Sequence, residues 1–120
     1  MPVRVLLVDD TAFMRRMLRE ILAKQGYEVV GEARNGREAV EQYRQLHPDL
    51  VIMDITMPEM DGIAAVREIV SLDPAARIVM CSALGQDEPI IEALEQGASD
   101  FILKPFMPEK VLEAVAKVGG

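Results

Sequence analysis

The sequence predicts an α/β fold: an open, doubly wound, five-stranded parallel sheet with helices on both faces. Two observations support this prediction. Five short apolar runs alternate with segments whose apolar residues recur at helical spacing. The runs are nearly continuous rather than alternating, which indicates strands buried on both faces, as in a parallel sheet between two helix layers. Five strand–helix pairs are too few for a closed eightfold barrel.

Two strand–helix pairs fill the first part of the chain. Residues 3–8 form an apolar run of strand length, and apolar residues at helical spacing follow until Gly26, which should cap the helix end. Residues 27–31 should form the second strand. Asn35 opens a capping-box pattern, so a second helix should begin there and stop at His47-Pro48.

Three more pairs complete the pattern. Residues 50–53 should form the third strand, and the amphipathic helix after them should end near Asp73-Pro74. Residues 77–81, rich in Ile and Val, should form the fourth strand. A short fifth strand, 101–103, leads to a final helix that starts at Pro108, a residue favoured in a first helical turn.

Composition narrows the class of protein. At 120 residues we expect one domain, 1–120, and 50% hydrophobic residues supply its core. A net charge of -7 argues against direct binding to nucleic acid or to an anionic membrane. The single cysteine, Cys81, should be an inert buried thiol and fits a reducing, cytoplasmic setting. The sequence has neither a leader pattern nor an apolar run near the ~20 residues that span a bilayer.

Charged and polar side chains stand where four of the five strands end, namely Asp9, Asp10, Asp54, Ser82 and Lys104. In an open parallel sheet the ligand site lies beyond the carboxyl ends of the strands. Carboxylates that meet there repel one another by roughly 4 kcal/mol per close pair. We therefore expect a counter-ion, and a hard divalent cation with oxygen ligands is the natural one. This requires the oxygens of Asp10 and Asp54 to lie close enough to share an ion.

The same residues suggest phosphoryl chemistry. A carboxylate beside a bound cation, here Asp54, can act as a nucleophile toward phosphorus. The metal would bridge that carboxylate and the phosphoryl oxygens and offset the developing charge. Lys104 can add a positive charge to these oxygens, and Ser82 can donate its hydroxyl to one of them. The product would be a labile aspartyl phosphate.

Four stretches in this order resemble the receiver domain of two-component response regulators: Val8-Asp9-Asp10, Met53-Asp54-Ile55-Thr56-Met57-Pro58-Glu59-Met60-Asp61-Gly62, Cys81-Ser82-Ala83 and Lys104-Pro105-Phe106. The resemblance covers essentially the whole chain. Within that family, the stretches after Asp10 and Asp54 are most similar to the single-domain chemotaxis regulators. The resemblance implies the flavodoxin-like strand order 2-1-3-4-5.

The resemblance also implies a role for each site residue. Asp54 would be the phosphoacceptor. Asp10 and Asp54 would ligate Mg2+ together with the backbone carbonyl of Thr56, and Asp9 would hold the metal through bound water. Lys104 would pair with Asp54 or its phosphate, and the peptide bond from Lys104 to Pro105 would be cis.

A signal path is implied as well. Ser82 would be the switch hydroxyl, drawn toward the phosphate, and Phe101 would occupy the aromatic switch position, although from the residues alone it reads equally well as plain strand core. The surface formed by the fourth helix, fifth strand and fifth helix would then change. Thr56 and Leu84 would flank the path of an attacking water and tune the lifetime of the phosphate.

The partners implied are a sensor histidine kinase of the CheA type, a flagellar motor switch protein or another output partner, and a phosphatase. The protein would be a phosphoacceptor that assists its own phosphorylation and dephosphorylation rather than an enzyme in the usual sense. The kinase, the output partner and the phosphate lifetime are not encoded in any motif of the chain.

Three other functions compete. A phosphatase of the haloacid dehalogenase type places a second acid two residues after its nucleophile, where this chain has Thr56. A flavodoxin-like nucleotide carrier needs a first loop rich in Gly, Ser and Thr, and the Asp9-Asp10 pair would repel its phosphate. A receiver fold used only for docking stays open, and Mg2+ titration separates it from a phosphoacceptor.

Overall fold

The computed structural model describes residues 2–57, 59–83 and 85–119. Strands and helices alternate along the chain in this order: β1 (Arg4–Val8), α1 (Ala12–Ala23), β2 (Glu28–Ala33), α2 (Gly36–Leu46), β3 (Leu50–Asp54), α3 (Gly62–Leu72), β4 (Ile78–Ser82), α4 (Asp87–Glu95), β5 (Asp100–Leu103) and α5 (Pro108–Gly119). The strands form one parallel sheet in the order β2-β1-β3-β4-β5. The predicted fold class and strand order are both confirmed.

Alternation along the strands divides the core into two layers. Val5, Leu7 and Ile52 belong to the cluster that packs against α1 and α5. Val8 and Met53 belong to the cluster on the other face, against α2, α3 and α4. Because successive side chains of a strand point to opposite faces, both faces of the central strands are apolar. This explains why the strands appear as continuous apolar runs in the sequence.

Among the strands, the largest boundary error is in β2, which we predicted to end at Gly31 but which continues to Ala33. The ladder with β1 skips one residue: Val5 pairs with Val29, whereas Leu6 pairs with Gly31. This bulge makes room for an additional residue on the edge strand. Glu32 can lie in the strand because an edge strand is only partly buried.

The other strands shift by one residue. β3 and β4 each continue one residue beyond the predicted end, to Asp54 and Ser82, and β4 starts one residue later than predicted. β5 starts one residue earlier, at Asp100. Asp54 and Ser82 are thus the last residues of their strands rather than the first residues of the following loops.

The predicted helix signals hold with small changes. The Asn35 side chain accepts a hydrogen bond from the Glu38 amide, as a capping box requires, but the Glu38 carboxylate accepts from the Arg34 amide rather than from Asn35. Gly26 has the left-handed conformation expected of a helix terminator, although α1 itself ends at Ala23. Within the described part of the chain, every helix is too short or too polar to cross a bilayer.

Candidate functional site

Strand register places three charged side chains on the same side of the sheet edge. Asp9 continues the alternation of Val5 and Leu7, and Asp54 continues that of Ile52. β1 and β3 are neighbours in the ladder, with Val8 opposite Met53. The next residues, Asp9 and Asp54, therefore emerge side by side on the α1/α5 side of the sheet.

Lys104 joins this group from β5. It continues the alternation of Ile102, which lies in the same core layer, and its backbone amide donates to the Ser82 carbonyl. The Lys104 ammonium lies 3.1 Å from a carboxylate oxygen of Asp54 and 3.1 Å from one of Asp9. The expected pair with Asp54 is present. The second pair, with Asp9, was not anticipated. The peptide bond between Lys104 and Pro105 is cis, as expected.

The carboxylates of Asp9, Asp10 and Asp54 meet the geometric condition set by the sequence argument. Each offers one oxygen, and these oxygens all lie within 4.8 Å of one another. Asp9 and Asp54 are buried, whereas Asp10 is exposed to solvent. A cation approaching through Asp10 would thus meet two preorganised oxygens behind it.

The charges of the group favour a divalent cation. Three carboxylates and one ammonium sum to a formal charge of about minus two when all are ionised. Oxygen-only donors at this spacing suit a small, hard ion such as Mg2+, which is usually bound through a few carboxylates while it keeps several waters. The residues therefore fit the Mg2+ that the resemblance implies. Mg2+ would neutralise the cluster and, when bound, polarise incoming phosphoryl oxygens.

The pKa values of Asp54 and Lys104 are shifted for different reasons. Burial raises the pKa of the Asp54 carboxyl, the attraction of Lys104 lowers it, and repulsion from Asp9 and Asp10 raises it again, with a net upward shift. Burial lowers the pKa of Lys104, but the attraction of Asp54 and Asp9 outweighs it, so the net shift is also upward. The lysine therefore stays charged, while the charge on Asp54 is disfavoured without a further cation.

Asp9 has a structural role beside its place in the acid cluster. One of its oxygens accepts from both the amide and the hydroxyl of Thr11, the residue that precedes α1. The other oxygen accepts from Lys104. The Arg15 guanidinium donates to the Asp9 carbonyl and also pairs with Glu32 at the end of β2. Our sequence reasoning missed Arg15. Its position, a basic residue about one helical turn after the acid pair, could have indicated a contact with Asp9.

Two glycine-dependent contacts hold the loop after Asp54. A Cβ atom on Gly62 would collide with the Asp54 carbonyl oxygen and lie 2.9 Å from the Ile55 Cα atom. The Gly62 amide donates to the Ile55 carbonyl. Farther along the loop, the Gly36 amide donates to the Met60 carbonyl, and a Cβ on Gly36 would also collide with that oxygen. The loop is thus packed backbone to backbone on α2 and α3.

Ser82 lies at the expected strand end but uses its hydroxyl locally. Its side chain is fully buried, and its hydroxyl donates to the Ala83 carbonyl at 3.3 Å. Ser82 continues the alternation of Ile78 and Met80, which face the other core layer. This position differs from that of Asp54 and explains why the two side chains do not share a hydrogen bond in the described arrangement.

Phe101 is 38% exposed and so is not a core residue, which excludes one of its two sequence interpretations. It lines a surface groove of about 420 Å3 between β5 and α5, together with Leu103 and Met107, which are also exposed. Lys110 and Lys117 stand at the same groove. Acidic residues line the groove as well, so it offers a partner an apolar floor with charged side chains of both signs.

Thr56 is exposed, and its hydroxyl accepts from the side-chain amide of Gln86, which also accepts from the Ala83 amide. Our sequence reasoning missed Gln86, because a single glutamine before an acidic helix start carries no pattern. Leu84, expected beside Thr56 on the path of water, lies outside the described residues, as does Pro58 of the loop motif.

The comparisons with known proteins identify the family of this chain. Residues 5–116 match the family model described as response regulator receiver domain. The chain is 63% identical over 115 residues to chemotaxis protein CheY of Thermotoga maritima, covering 96% of each chain. It is 60% identical over 114 residues to chemotaxis protein CheY of Bacillus subtilis, covering 95% of each.

A solved structure gives the same result in three dimensions. A chain in the crystal structure of the CheX–CheY–BeF3–Mg complex from Borrelia burgdorferi matches with a TM-score of 0.93 at 39% identity. The match covers 98% of this chain and 89% of that one. Fold, site geometry and sequence identity therefore lead to one conclusion: the protein belongs to the response regulator receiver domain family of two-component signalling and is closely related to the CheY chemotaxis regulators.

Proposed function

We propose that this protein accepts a phosphoryl group on Asp54 from a sensor histidine kinase, with Mg2+ bound by the neighbouring acids, and that phosphorylation alters its partner-binding surface. One observation carries the proposal: three carboxylates lie within 4.8 Å of one another, and a lysine bridges two of them. A purely structural sheet edge gains nothing from such repulsion. Cation binding and phosphoryl transfer use it.

The residues divide the chemistry as follows. An Asp54 oxygen attacks phosphorus, a P–O bond forms, and the P–N bond to the kinase histidine breaks, leaving the electron pair on the imidazole. Lys104, already 3.1 Å from Asp54, balances negative charge on the transferred oxygens. Asp10 and Asp54, with the Thr56 carbonyl, would hold Mg2+ directly, and Asp9 would hold it through water. The protein is then a phosphoacceptor that assists both its own phosphorylation and the hydrolysis of the aspartyl phosphate.

The output step would use the groove beside Phe101. Phosphate on Asp54 would draw the Ser82 hydroxyl away from the Ala83 carbonyl, which it now contacts at 3.3 Å. The segment between β4 and α4 would move, and the Phe101 ring would leave its exposed position. Ring and loop need two arrangements of similar free energy for so local a change to shift the surface.

The partners we propose are a CheA-like histidine kinase, a flagellar motor switch protein as output and a phosphatase. The relatives carry the name of chemotaxis proteins, which supports this set. We propose a cytoplasmic location, where such partners are expected; the single buried free cysteine supports it. A binding titration of the output partner, with and without beryllofluoride and Mg2+, tests the output step, and equal affinities would contradict it.

Phosphorylation is tested with acetyl phosphate and Mg2+, followed by intact-protein mass spectrometry. We expect one labile phosphoryl group on the wild type and none on Asp54→Asn. The matched control is Asp49→Asn, since Asp49 immediately precedes the strand that Asp54 ends. Undiminished labelling of Asp54→Asn would refute the assignment. Calorimetric titration with Mg2+ separates the docking-only alternative, which predicts no binding heat.

A further inference from the structure

The side chain of Gln86 links the two loops at the mouth of the site. Gln86 immediately precedes α4, where a side chain usually caps the helix, yet it makes no capping hydrogen bond. Instead its carbonyl oxygen accepts from the Ala83 amide at 2.7 Å, and its NH2 group donates to the Thr56 hydroxyl at 3.0 Å. One residue thus joins the ends of β3 and β4 to the start of α4.

The donors determine the orientation of this amide. A backbone N–H can only donate, so the oxygen of the Gln86 amide must face Ala83. The nitrogen must then face Thr56, whose hydroxyl can accept. Both halves of the side-chain amide are satisfied in this position, and Gln86 is half-buried there.

The Ala83 amide is the first donor after Ser82, at the point where the proposed function requires movement. In the described arrangement the Ala83 carbonyl accepts from Ser82 and its amide donates to Gln86, so both polar groups of this peptide segment are engaged. An amide carries one hydrogen. A movement that turns the Ala83 amide toward Asp54 therefore breaks its bond to Gln86.

We propose that Gln86 is a latch that stabilises the unphosphorylated arrangement of the β4–α4 segment and is released when Asp54 is phosphorylated. This inference rests on the proposed function. The latch opposes phosphorylation by the free energy of its hydrogen bonds, and its release frees the start of α4 from both loops. Gln86 is thus a positioning residue, since it acts through Ala83 and Thr56 and not on the phosphoryl group.

The test is the affinity for beryllofluoride in the presence of Mg2+, measured for the wild type and for Gln86→Met. Methionine keeps the length and bulk of glutamine, has no donor for Thr56, and offers the Ala83 amide only a weakly accepting sulfur. Because a net hydrogen bond is worth roughly a twofold to tenfold change in an equilibrium, we expect the variant to bind about twofold to tenfold more tightly. A residue needed only for stability would weaken binding when replaced.

A second measurement reports on the latch without any ligand. Hydrogen exchange at the Ala83 amide should be faster in Gln86→Met than in the wild type. The matched control is Gln45→Met on α2, where the Gln45 side chain donates to the exposed Glu41 at 3.4 Å; this variant should behave as the wild type in both measurements.

The outcomes are distinguishable. Tighter binding of beryllofluoride with faster exchange at Ala83 supports the latch. Equal or weaker binding by Gln86→Met, while the wild type binds, overturns the latch and leaves the proposed function standing. Failure of the wild type to bind beryllofluoride with Mg2+ overturns the proposed function and the latch together.

Discussion

Replacing Asp54 by Asn should stabilise the metal-free protein while removing its phosphoacceptor. Asp54 lies within 4.8 Å of Asp9 and Asp10, and each repulsion amounts to about 3.5 kcal/mol at an effective dielectric constant near 20. Lys104 at 3.1 Å offsets about 5 kcal/mol of this. The two repulsions exceed the attraction by about 2 kcal/mol, so the ionised form of Asp54 is disfavoured. Burial disfavours the ionised form further.

The Asn variant keeps a side-chain oxygen that can accept from Lys104 but carries no charge. We expect a gain of about 1 to 2 kcal/mol in the free energy of unfolding in EDTA, which for a chain of this size raises Tm by roughly 4 to 8 °C. In Mg2+ the wild type should be the more stable of the two proteins, because only the wild type keeps all three carboxylates that would hold the ion. A cation at a hundred times its Kd adds about 2.7 kcal/mol.

The pH dependence of the stability difference between Asp54→Asn and the wild type gives an independent check. Because the pKa of Asp54 is raised in the folded state, the folded protein holds this proton more tightly than the unfolded chain. Wild-type stability should therefore fall as pH rises from the ordinary aspartate pKa through the raised value, whereas Asp54→Asn lacks this decline. The advantage of the variant should vanish below both values.

Thermal melts in EDTA and in Mg2+ are the assay. The matched control is Glu68→Gln, which removes one negative charge from an exposed position on α3. It should change Tm little and leave the Mg2+ response intact. A Tm of Asp54→Asn below that of the wild type in EDTA would show that the Lys104 attraction outweighs repulsion and burial, and would refute the reasoning.

Three further predictions concern neighbouring residues. Lys104→Ala should lower the free energy of unfolding in EDTA by about 2 to 3 kcal/mol, since Asp9 and Asp54 lose the ammonium group that they share. Mg2+ should still bind to the variant and restore much of this stability. A variant as stable as the wild type in EDTA would contradict this. Gly62→Ala should cost about 1 to 3 kcal/mol by overpacking the backbone of Asp54, measured by urea unfolding, and an unchanged midpoint would argue against the contact. Cys81 is buried with its pKa raised, chiefly by burial, so a thiol reagent should modify it only in denaturant; rapid labelling of the native protein would show that it is accessible.

The fold could be predicted because its signals are local. Continuous apolar runs, a capping asparagine at Asn35 and a terminating glycine at Gly26 each report on neighbouring residues only. The end of β2 could not be predicted, since the bulge opposite Leu6 depends on how two distant strands pair. We ended the predicted strand at Gly31 because the pairing that carries β2 to Ala33 is not visible in the sequence.

The site was predictable to the extent that it follows strand ends. Strand ends alone predicted that Asp54 and Lys104 belong to one site; the expectation that they pair came from the resemblance to receiver domains. The second partner of Lys104, Asp9, depends on the path of a long side chain between two strands. The contact of Gln86 with Thr56 depends on two loop conformations at once. The pattern of neighbouring residues in the sequence carries no information on either of these two contacts.

Packing, rather than attraction, brings the charged groups together. Asp9, Asp54 and Lys104 each follow by two residues a side chain of the same core layer: Leu7, Ile52 and Ile102. Burial of those apolar side chains fixes the strand register, and a slip by one residue would turn every one of them to the opposite face. The apolar core thus supplies the free energy that holds like charges within reach of one cation. The carboxylates therefore repel one another in the metal-free protein, and a bound cation relieves that repulsion. We expect that neutralising one of these acids will raise the free energy of unfolding of the metal-free protein and weaken metal binding.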